Sequence, residues 1–209
     1  MDALPPNALL YLPILVSEYH RNWPDIAIPS TLASQVEQET CISLRSKGCW
    51  NPHTELKTSR EYGFGLGQIT ITRQFNTFTD VQKLDPTLAA WKFSNRYDPT
   101  MQLRALVLKD KQGYQSVKGS SDEASHLAFT FAAYNGGLGG LLSDRRVCAA
   151  TPGCNQGVWF GNVEGTSLKA KSAASGYGQS FFQINREYVV NVMTVRRLKY
   201  DATFKEPEK

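Results

Sequence analysis

Two short stretches, QVEQET at residues 35–40 and GFGLGQIT at residues 63–70, decide how this sequence is interpreted. The first continues a helix for which Ser30 is the predicted N-cap. The second contains three glycines, which allow the backbone to approach a bound molecule closely. The residues between them are polar, contain two cysteines and show no hydrophobic period. A helix that carries a carboxylate, followed by a glycine-rich turn, predicts a ligand-binding cleft.

One glutamate of this helix is the candidate acid. Leu32, Val36 and Glu39 have the i, i+4, i+7 spacing of a single helix face. Glu37 lies roughly 200° around the helix from Glu39, so we expect it to be a solvated surface charge. A carboxyl on an apolar face keeps its proton to higher pH and can serve as a general acid. The alternative is that Glu39 only ends the apolar face and points into water.

The composition is that of an ordinary globular protein. The chain has 209 residues, of which 41% are hydrophobic and 20% are charged, which is enough for one well-buried domain and argues against long disorder. The net charge of +4 suits an anionic polymer without requiring one. There is no Lys/Arg block and no basic stripe alternating with aromatic residues, so we expect no nucleic-acid partner.

The apolar segment at residues 8–16 does not fit a secretory signal. Asp2 precedes it, Pro13 interrupts it and no small-residue cleavage site follows it. It is also far too short to span a bilayer. We therefore expect a packed first helix that ends within residues 19–23, no stable membrane insertion, and a route out of the cytoplasm other than an N-terminal signal.

The four cysteines form two local pairs. Cys41 and Cys49 enclose seven residues, and Cys148 and Cys154 enclose five. These are not the C-x2-C spacings of zinc sites, and the three histidines are scattered, so we expect no metal and no cofactor. Two short-loop disulfides fit the pairing and imply an oxidising destination; the alternative is four reduced cysteines. A Cys41–Cys49 bridge would close the loop directly after Glu39.

The remaining chain is predicted to be mainly helical. Helices are expected at residues 99–111, from 121 or 122 to the glycines at 136 and 137, at 141–150 and at 181–200. A helix from Gly67 could continue through residues 70–78, and residues 151–178 are expected to form a long surface excursion. We assign residues 5–204 to a single domain and residues 205–209 to a frayed C-terminal tail.

Five segments, in this order, resemble the motifs of soluble lytic transglycosylases. They are QET at 38–40, WNP at 50–52, GLGQI at 65–69, AYNGG at 133–137, and EYV at 187–189 with Val192. The family motifs are a Glu-Ser after Gln, an aromatic-Asn-Pro, a Gly-Leu-Met-Gln-Ile, an Ala-Tyr-Asn-x-Gly and a Tyr-Val-x-x-Val. Goose-type lysozymes share the fold and several of these segments. The resemblance spans roughly residues 30–195, nearly the whole chain.

The resemblance implies a mainly α fold of the lysozyme-like α+β superfamily, with helices around a glycan-binding cleft and at most a small β-hairpin. It implies cleavage of the β-1,4 bond between N-acetylmuramic acid and N-acetylglucosamine in peptidoglycan, with Glu39 as acid and base. A 1,6-anhydro ring closes on the muramic acid instead of water attacking. The implied substrate-binding residues are Thr40, Gly65, Leu66, Gln68, Ile69, Tyr134, Asn135 and Tyr188.

A single carboxyl fits this chemistry where the acetamido group of the substrate assists. Tyr134 and Tyr188 also have a structural interpretation, as half-buried helix residues whose hydroxyls bond to any nearby partner. Gly67 stands where the family has Met, and Thr40 stands where it has Ser. Thr70 occupies the position of an aspartate found in goose-type lysozymes, which favours a transglycosylase over a hydrolase.

Two alternatives remain open. Glu61 is the candidate second acid of a muramidase that would hydrolyse the same bond together with Glu39. A non-catalytic glycan-binding or virion protein of the same fold is the other alternative. For the enzyme, we expect a monomer whose partner is the peptidoglycan glycan strand in the periplasmic cell wall. It would be a bacteriophage endolysin released from the host cytoplasm or a wall-opening protein carried by the virion.

Overall fold

The computed structural model describes residues 3–41, 48–169 and 171–205. Within these residues the chain is mainly helical and contains a three-stranded antiparallel sheet in the order β1-β2-β3. The predicted fold class is therefore confirmed at the level of a mainly α protein with a small β element. The predicted tail at 205–209 lies outside the described residues, apart from Lys205.

Within the described residues, the helices and strands have the following bounds. The helices are α1 (Ala8–Asn22), α2 (Ser30–Thr40), α3 (Thr77–Val81), α4 (Pro86–Ala89), α5 (Pro99–Ser116), α6 (Glu123–Gly136), α7 (Leu138–Ala149) and α8 (Phe181–Val190). The strands are β1 (Glu55–Lys57), β2 (Glu61–Phe64) and β3 (Ile69–Thr72), and 3-10 or π segments occupy Phe93–Asn95, Val163–Gly165, Asn191–Val195 and Arg197–Phe204.

The chain forms two compact units and passes from one to the other twice, within α5 and within the π segment Asn191–Val195. Unit 1 comprises Met1–Lys109 and Thr194–Lys209, and unit 2 comprises Asp110–Met193. The assignment of residues 5–204 to a single domain stays a prediction. In unit 1 an apolar core joins the sheet to α3, α4 and the first half of α5; its members are Phe64, Ile69, Phe78, Val81, Leu88, Trp91 and Ala105.

Helix α2 is buried on nearly every side, which corrects the prediction for Glu37. Residues 30–37 are all buried, and the 3-10 segment Arg197–Phe204 packs against α2. Glu37 is only 3% exposed, so the prediction of a solvated surface charge is wrong. Ser30 is not the N-cap either: it is the first residue of the helix, and its hydroxyl donates to Asp201 Oδ1 at 2.5 Å.

The segment after the glycine-rich stretch is a strand, not the start of a helix. Residues 69–72 form β3, which pairs with β2 in the register Glu61–Thr72 to Phe64–Ile69. The alternation of β-branched Ile and Thr in this tetrapeptide suits a strand. The helix predicted through residues 70–78 is therefore wrong, and the short α3 begins only at Thr77.

Unit 2 is built around α6, which packs against α7 and α8. Asp122 caps α6 by accepting a hydrogen bond from the Ser125 amide at 2.7 Å, and Gly137 ends it with a φ of +80°. Both ends agree with the prediction. The predicted final helix is interrupted: α8 ends at Val190, and the π segment Asn191–Val195 follows it.

The segment 151–178 is irregular, as predicted, but it is attached to the helices of unit 2. Trp159 is fully buried. The buried Asp144 carboxylate of α7 binds Lys169 Nζ at 2.6 Å and Arg186 Nη1 of α8 at 2.8 Å, and it accepts the Ser167 hydroxyl at 2.7 Å. This segment is therefore part of the packed unit and not only a surface excursion.

Both predicted disulfides are present. Cys41 bonds to Cys49 and Cys148 bonds to Cys154, with Cα–Cα distances of 4.5 and 5.3 Å. Residues 42–47, inside the first loop, lie outside the described residues. Disulfides persist in oxidising compartments, so the bonds point to such a destination. In the described part of the chain, the helices all fall short of the length and apolarity that crossing a bilayer requires.

We expect Glu18→Gln to lower the free energy of unfolding by about 3–5 kcal/mol, because it leaves a buried guanidinium without its counter-charge. Glu18 of α1 receives two hydrogen bonds from Arg104 of α5, at 2.7 and 2.9 Å, and both side chains are less than a tenth exposed. Urea unfolding followed by tryptophan fluorescence measures the loss. The control is Asp80→Asn, at an exposed pair with Lys83, which should change the value by less than about 1 kcal/mol. Equal effects would contradict this prediction.

Candidate active site

Glu39 lies in the last turn of α2 and is half-buried. Its position on the face shared with Leu32 and Val36 is as predicted, and those two side chains are fully buried. The carboxyl at the end of this buried helix is therefore partly accessible to solvent.

The end of α2 is attached to the loop at residues 48–54. The Thr40 hydroxyl donates to the Val36 carbonyl at 2.6 Å and accepts a hydrogen bond from the Trp50 amide at 2.7 Å. The Cys41–Cys49 disulfide joins the same two segments. Because the buried Thr40 hydroxyl donates to one partner and accepts from another inside the protein, this residue fixes the position of the helix end.

Glu37 connects the other side of α2 to the C-terminal segment of unit 1. Its Oε1 binds Arg196 Nη1 at 2.7 Å and Lys199 Nζ at 2.8 Å, and its Oε2 accepts the Tyr200 hydroxyl. Trp50 Nε1 donates to that same hydroxyl at 2.8 Å. Burial, and then the adjacent Glu37 carboxylate, raise the pKa of Tyr200. The orientation of the helix that carries Glu39 is thus determined by a buried charged network.

The glycine-rich turn between β2 and β3 is held by the same loop. The Gly65 amide donates to the Thr54 carbonyl at 2.8 Å, and Gln68 Nε2 donates to the carbonyls of Thr54 and Gly65 at 3.0 and 2.8 Å. Loop 48–54 therefore carries the end of α2 at Trp50 and the glycine-rich turn at Thr54. The two stretches singled out in the sequence are joined through one short segment of unit 1.

A buried glutamine of α5 completes this arrangement. Gln102 Oε1 accepts the Leu66 amide at 2.8 Å, and Gln102 Nε2 donates to the Pro52 and Arg96 carbonyls at 3.0 and 2.9 Å. The residue is fully buried. Its side chain makes three hydrogen bonds, which link the turn to two other segments of the chain. Sequence reasoning missed Gln102, because one polar residue in a helix gives no indication of its partners.

Backbone strain coincides with this part of unit 1. Within the part of the chain that the structure describes, the non-glycine residues with positive φ are Trp50, at +59°, and Gln68, at +44°. Such conformations cost about 1–3 kcal/mol each and cluster at functional sites. Both residues belong to the motifs WNP and GLGQI. Gln68 Oε1 is also buried and has no hydrogen-bond partner among the described residues, a further cost that a purely structural turn does not require.

The other residues predicted for the site in unit 1 are Leu66, Ile69 and Glu61. Leu66 and Ile69 are buried side chains, so they support the turn and can offer only backbone to a ligand. Glu61 begins β2 and pairs with Thr72. It precedes the end of β2 by three residues, which places it about 10 Å from the turn along the strand.

Unit 2 brings together the three residues predicted there. The rings of Tyr134 and Tyr188 stack with an interplanar angle of 9° and centroids 6.5 Å apart. Asn185 Nδ2 donates to Asn135 Oδ1 at 3.1 Å and to the Ala132 carbonyl at 3.0 Å. Asn185 is buried and lies one helical turn before Tyr188, and sequence reasoning missed it. It holds the amide of the exposed Asn135 in place.

The sequence was compared with known protein families and curated proteins. The sequence matches no protein-family model and no curated protein. Within residues 3–41, 48–169 and 171–205, no group of His, Cys, Asp or Glu is arranged to hold a metal ion. The geometry of the two units and the motif resemblance therefore carry the functional interpretation.

Gly65→Ala tests whether the turn tolerates a side chain. Gly65 has a φ of +82°, and a Cβ there would lie 2.5 Å from Gln102 Cδ, which cannot move without losing its hydrogen bonds. We expect a loss of stability of about 1–3 kcal/mol, measured by urea unfolding. Gly139→Ala in α7 is the control, since a Cβ there meets nothing within 4 Å. A Gly65→Ala protein as stable as the control would contradict the close contact.

Tyr200→Phe tests the network around Glu37 through its pH dependence. A tyrosine in an unfolded chain ionises near pH 10, whereas folding raises the pKa of Tyr200 and raises that of Tyr62 to about 12. Their contribution to stability is therefore complete below about pH 10 and is lost as the pH rises further. We expect the wild-type free energy of unfolding to fall by about 1.4 kcal/mol per pH unit for each tyrosine.

Urea unfolding at several pH values up to about pH 11 measures this slope. Tyr200→Phe should reduce the slope by the contribution of one tyrosine, about 1.4 kcal/mol per pH unit. It should also lower the free energy of unfolding by about 1–3 kcal/mol below pH 10, because Glu37 loses a hydrogen-bond donor. A slope identical to that of the wild type would show that Tyr200 ionises equally in both states.

Proposed function

We propose that this protein is a peptidoglycan lytic transglycosylase with a lysozyme-like fold, and that Glu39 is its general acid and base. The observation that carries the proposal is the shared attachment of two segments to loop 48–54: the helix end that bears the half-buried Glu39, and the strained turn at Gln68. The motif resemblance supplies the reaction class.

In the proposed reaction, the protonated Glu39 carboxyl donates its proton to the glycosidic oxygen. The N-acetylglucosamine side leaves, and the acetamido group of the muramic acid stabilises the oxocarbenium-like centre. The Glu39 carboxylate then removes the proton of the muramic acid 6-hydroxyl, whose oxygen bonds to C1 and closes the 1,6-anhydro ring. No water is consumed, and Glu39 ends in its original protonation state.

A single general acid contributes only about 10²–10⁴-fold, so most of the acceleration must come from positioning and electrostatics. The proposal assigns ligand contact in unit 1 to the turn at residues 65–68, whose geometry is set by Thr54. Thr40, Leu66 and Ile69 support these contacts from buried positions. In unit 2 the proposal assigns glycan contact to Tyr134, Asn135 and Tyr188.

The hydrolytic alternative needs a second carboxyl that activates water. Glu61 is the candidate; it lies three residues before the end of β2, roughly 10 Å along the strand from the turn. Thr70 at the position of the goose-type aspartate supports the transglycosylase.

The disulfides favour an enzyme that works outside the reducing cytoplasm. We propose a monomeric, phage-encoded enzyme that acts on the periplasmic cell wall, either as an endolysin or as part of the virion. Cell fractionation before and after membrane permeabilisation tests the route: an endolysin stays inside until the inner membrane is opened. Protein found in the periplasm beforehand would contradict that route.

Digestion of purified murein with product mass spectrometry tests the activity. We expect wild-type products with anhydro ends, lighter by one water than reducing ends. Glu39→Gln should lower the rate by at least about 10²-fold, because the amide cannot donate the proton. Glu61→Gln is the matched control and should retain both the rate and the anhydro product.

Three outcomes would contradict the proposal in different ways. Reducing-end products that disappear in Glu61→Gln would identify the hydrolytic muramidase. A wild type that binds murein but is as inactive as Glu39→Gln would indicate a glycan-binding or virion protein. A Glu39→Gln variant that retains activity would exclude Glu39 as the acid.

A further inference from the structure

A second set of polar and aromatic side chains lies on the sheet of unit 1 and has no role in the reaction proposed above. It consists of Glu55 from β1, Tyr62 from β2, and Phe93, Arg96 and Tyr97 from the segment before α5, and is called the Glu55 cluster below. In the β1–β2 register, Glu55 pairs with Phe64. Tyr62 precedes Phe64 by two residues, and alternate residues of a strand share a face, so Glu55 and Tyr62 lie on the same face of the sheet.

The cluster holds one carboxylate in a fixed orientation. Glu55 Oε1 accepts the Tyr62 hydroxyl at 2.6 Å and also accepts the Tyr97 hydroxyl. Arg96 Nε donates to the Tyr62 hydroxyl at 3.1 Å, and Arg96 Nη2 donates to the Tyr97 hydroxyl at 2.9 Å. Among the described residues, no hydrogen bond reaches the other carboxylate oxygen, Oε2. One acceptor of a fully organised network is therefore left for a ligand.

This carboxylate is at the surface, because the Glu55 side chain is 37% exposed. Exposed ion pairs of this kind contribute little to stability, since two long side chains must be held in one geometry. Here the hydroxyls of Tyr62 and Tyr97 and the guanidinium of Arg96 hold the Glu55 carboxylate in place. The hydrogen bonds from Tyr62 and Tyr97 lower the pKa of Glu55, and burial raises the pKa of Tyr62 to about 12. The donors and the acceptor thus keep their roles across the physiological range.

The cluster also contains an exposed aromatic ring, which contacts Arg96 and Tyr62. Phe93 is 42% exposed, and its ring is held edge-on against Phe64 and Phe78, with centroids 5.9 and 5.6 Å away. The Arg96 guanidinium lies over the rings of Phe93 and Tyr97 at 4.5 and 4.4 Å. The ring is therefore packed against its neighbours and still partly exposed, as an aromatic contact for a ligand should be.

The chemistry of this surface selects the kind of ligand. Arg96 offsets the charge of Glu55, so the cluster is close to neutral, and its outward polar atom is an acceptor. A ligand that fits has O–H or N–H donors next to an apolar face and carries no negative charge against Glu55. An N-acetylhexosamine ring has these properties.

The cluster is also fixed to the glycine-rich turn. Gln102, which accepts the Leu66 amide, donates to the carbonyl of Arg96 at 2.9 Å. One buried side chain thus sets the position of the cluster relative to residues 65–68, all within unit 1.

We infer that the Glu55 cluster is a saccharide-binding subsite for an N-acetylglucosamine residue of the glycan strand. The sugar ring lies against Phe93 and donates a hydroxyl or acetamide N–H to Glu55 Oε2. The inference rests on the proposed function for the identity of the polymer, but sugar binding can be measured without catalysis.

The probe is tetra-N-acetylchitotetraose, titrated by calorimetry into the full chain carrying Glu39→Gln, so that turnover does not interfere. Adding Glu55→Gln should raise the Kd roughly tenfold, the usual effect of losing a charge-assisted hydrogen bond. Phe93→Ala should have a similar effect. On murein, Glu55→Gln alone should raise KM and leave kcat nearly unchanged.

Two variants in unit 1 serve as matched controls. Asp80→Asn neutralises an exposed carboxylate, and Phe75→Ala removes a ring that is 52% exposed. Both should keep the Kd within about twofold, well below the tenfold that 1.4 kcal/mol represents. Thermal unfolding of each variant accompanies the titrations. If the cluster only joins β1 to residues 96–97, its substitutions would lower the Tm without changing the Kd.

An unchanged Kd in Glu55→Gln and Phe93→Ala would overturn the subsite, and so would a lowered Tm with normal binding. A wild type that digests murein but does not bind the tetrasaccharide would also overturn it and leave the proposed function intact. Conversely, binding that depends on Glu55 in a protein that leaves murein uncut would support the subsite and refute the proposed function.

Discussion

The buried carboxylate of Glu37 is the interaction on which the organisation of unit 1 depends. It joins α2 to the C-terminal segment through Arg196, Lys199 and Tyr200. Removing one side of a buried ionic interaction leaves an uncompensated charge and typically costs several kcal/mol. The network therefore resists rotation of α2, the helix that also carries Glu39. A charge that takes no part in the proposed chemistry is what positions the acid.

From this anchor a continuous set of hydrogen bonds extends across unit 1. Trp50 contacts Tyr200 with its indole and Thr40 with its amide, Thr54 holds the glycine-rich turn, and Gln102 connects that turn to Arg96. The left-handed backbone at Trp50 persists because these contacts over-determine it. Preorganisation of this kind is what a glycosidase with a single carboxyl needs, since positioning must supply the acceleration that proton donation alone cannot.

The sequence predicted those features that depend on neighbouring residues. The cap at Asp122, the helix end at Gly137 and the two short-loop disulfides were all correct, because each involves partners fewer than ten residues apart. The helix expected through residues 70–78 was wrong, because pairing with β2 outweighs the local pattern. The prediction that Glu37 is solvated was also wrong. Helical periodicity distinguishes the two faces of α2, but the C-terminal segment covers the face that was assumed to be in water.

By itself, the sequence determined the mainly helical character and the disulfide pairs, and it predicted Glu39 as the candidate acid. Only the tertiary structure decided that Glu37 is buried, that Gln102 connects two loops to the turn, and that Glu55 lies with Tyr62, Arg96 and Tyr97. The physical reason is sequence separation. The partners of Glu37 are 159 to 163 residues away, and those of Gln102 are up to 50 away, so no local pattern records them.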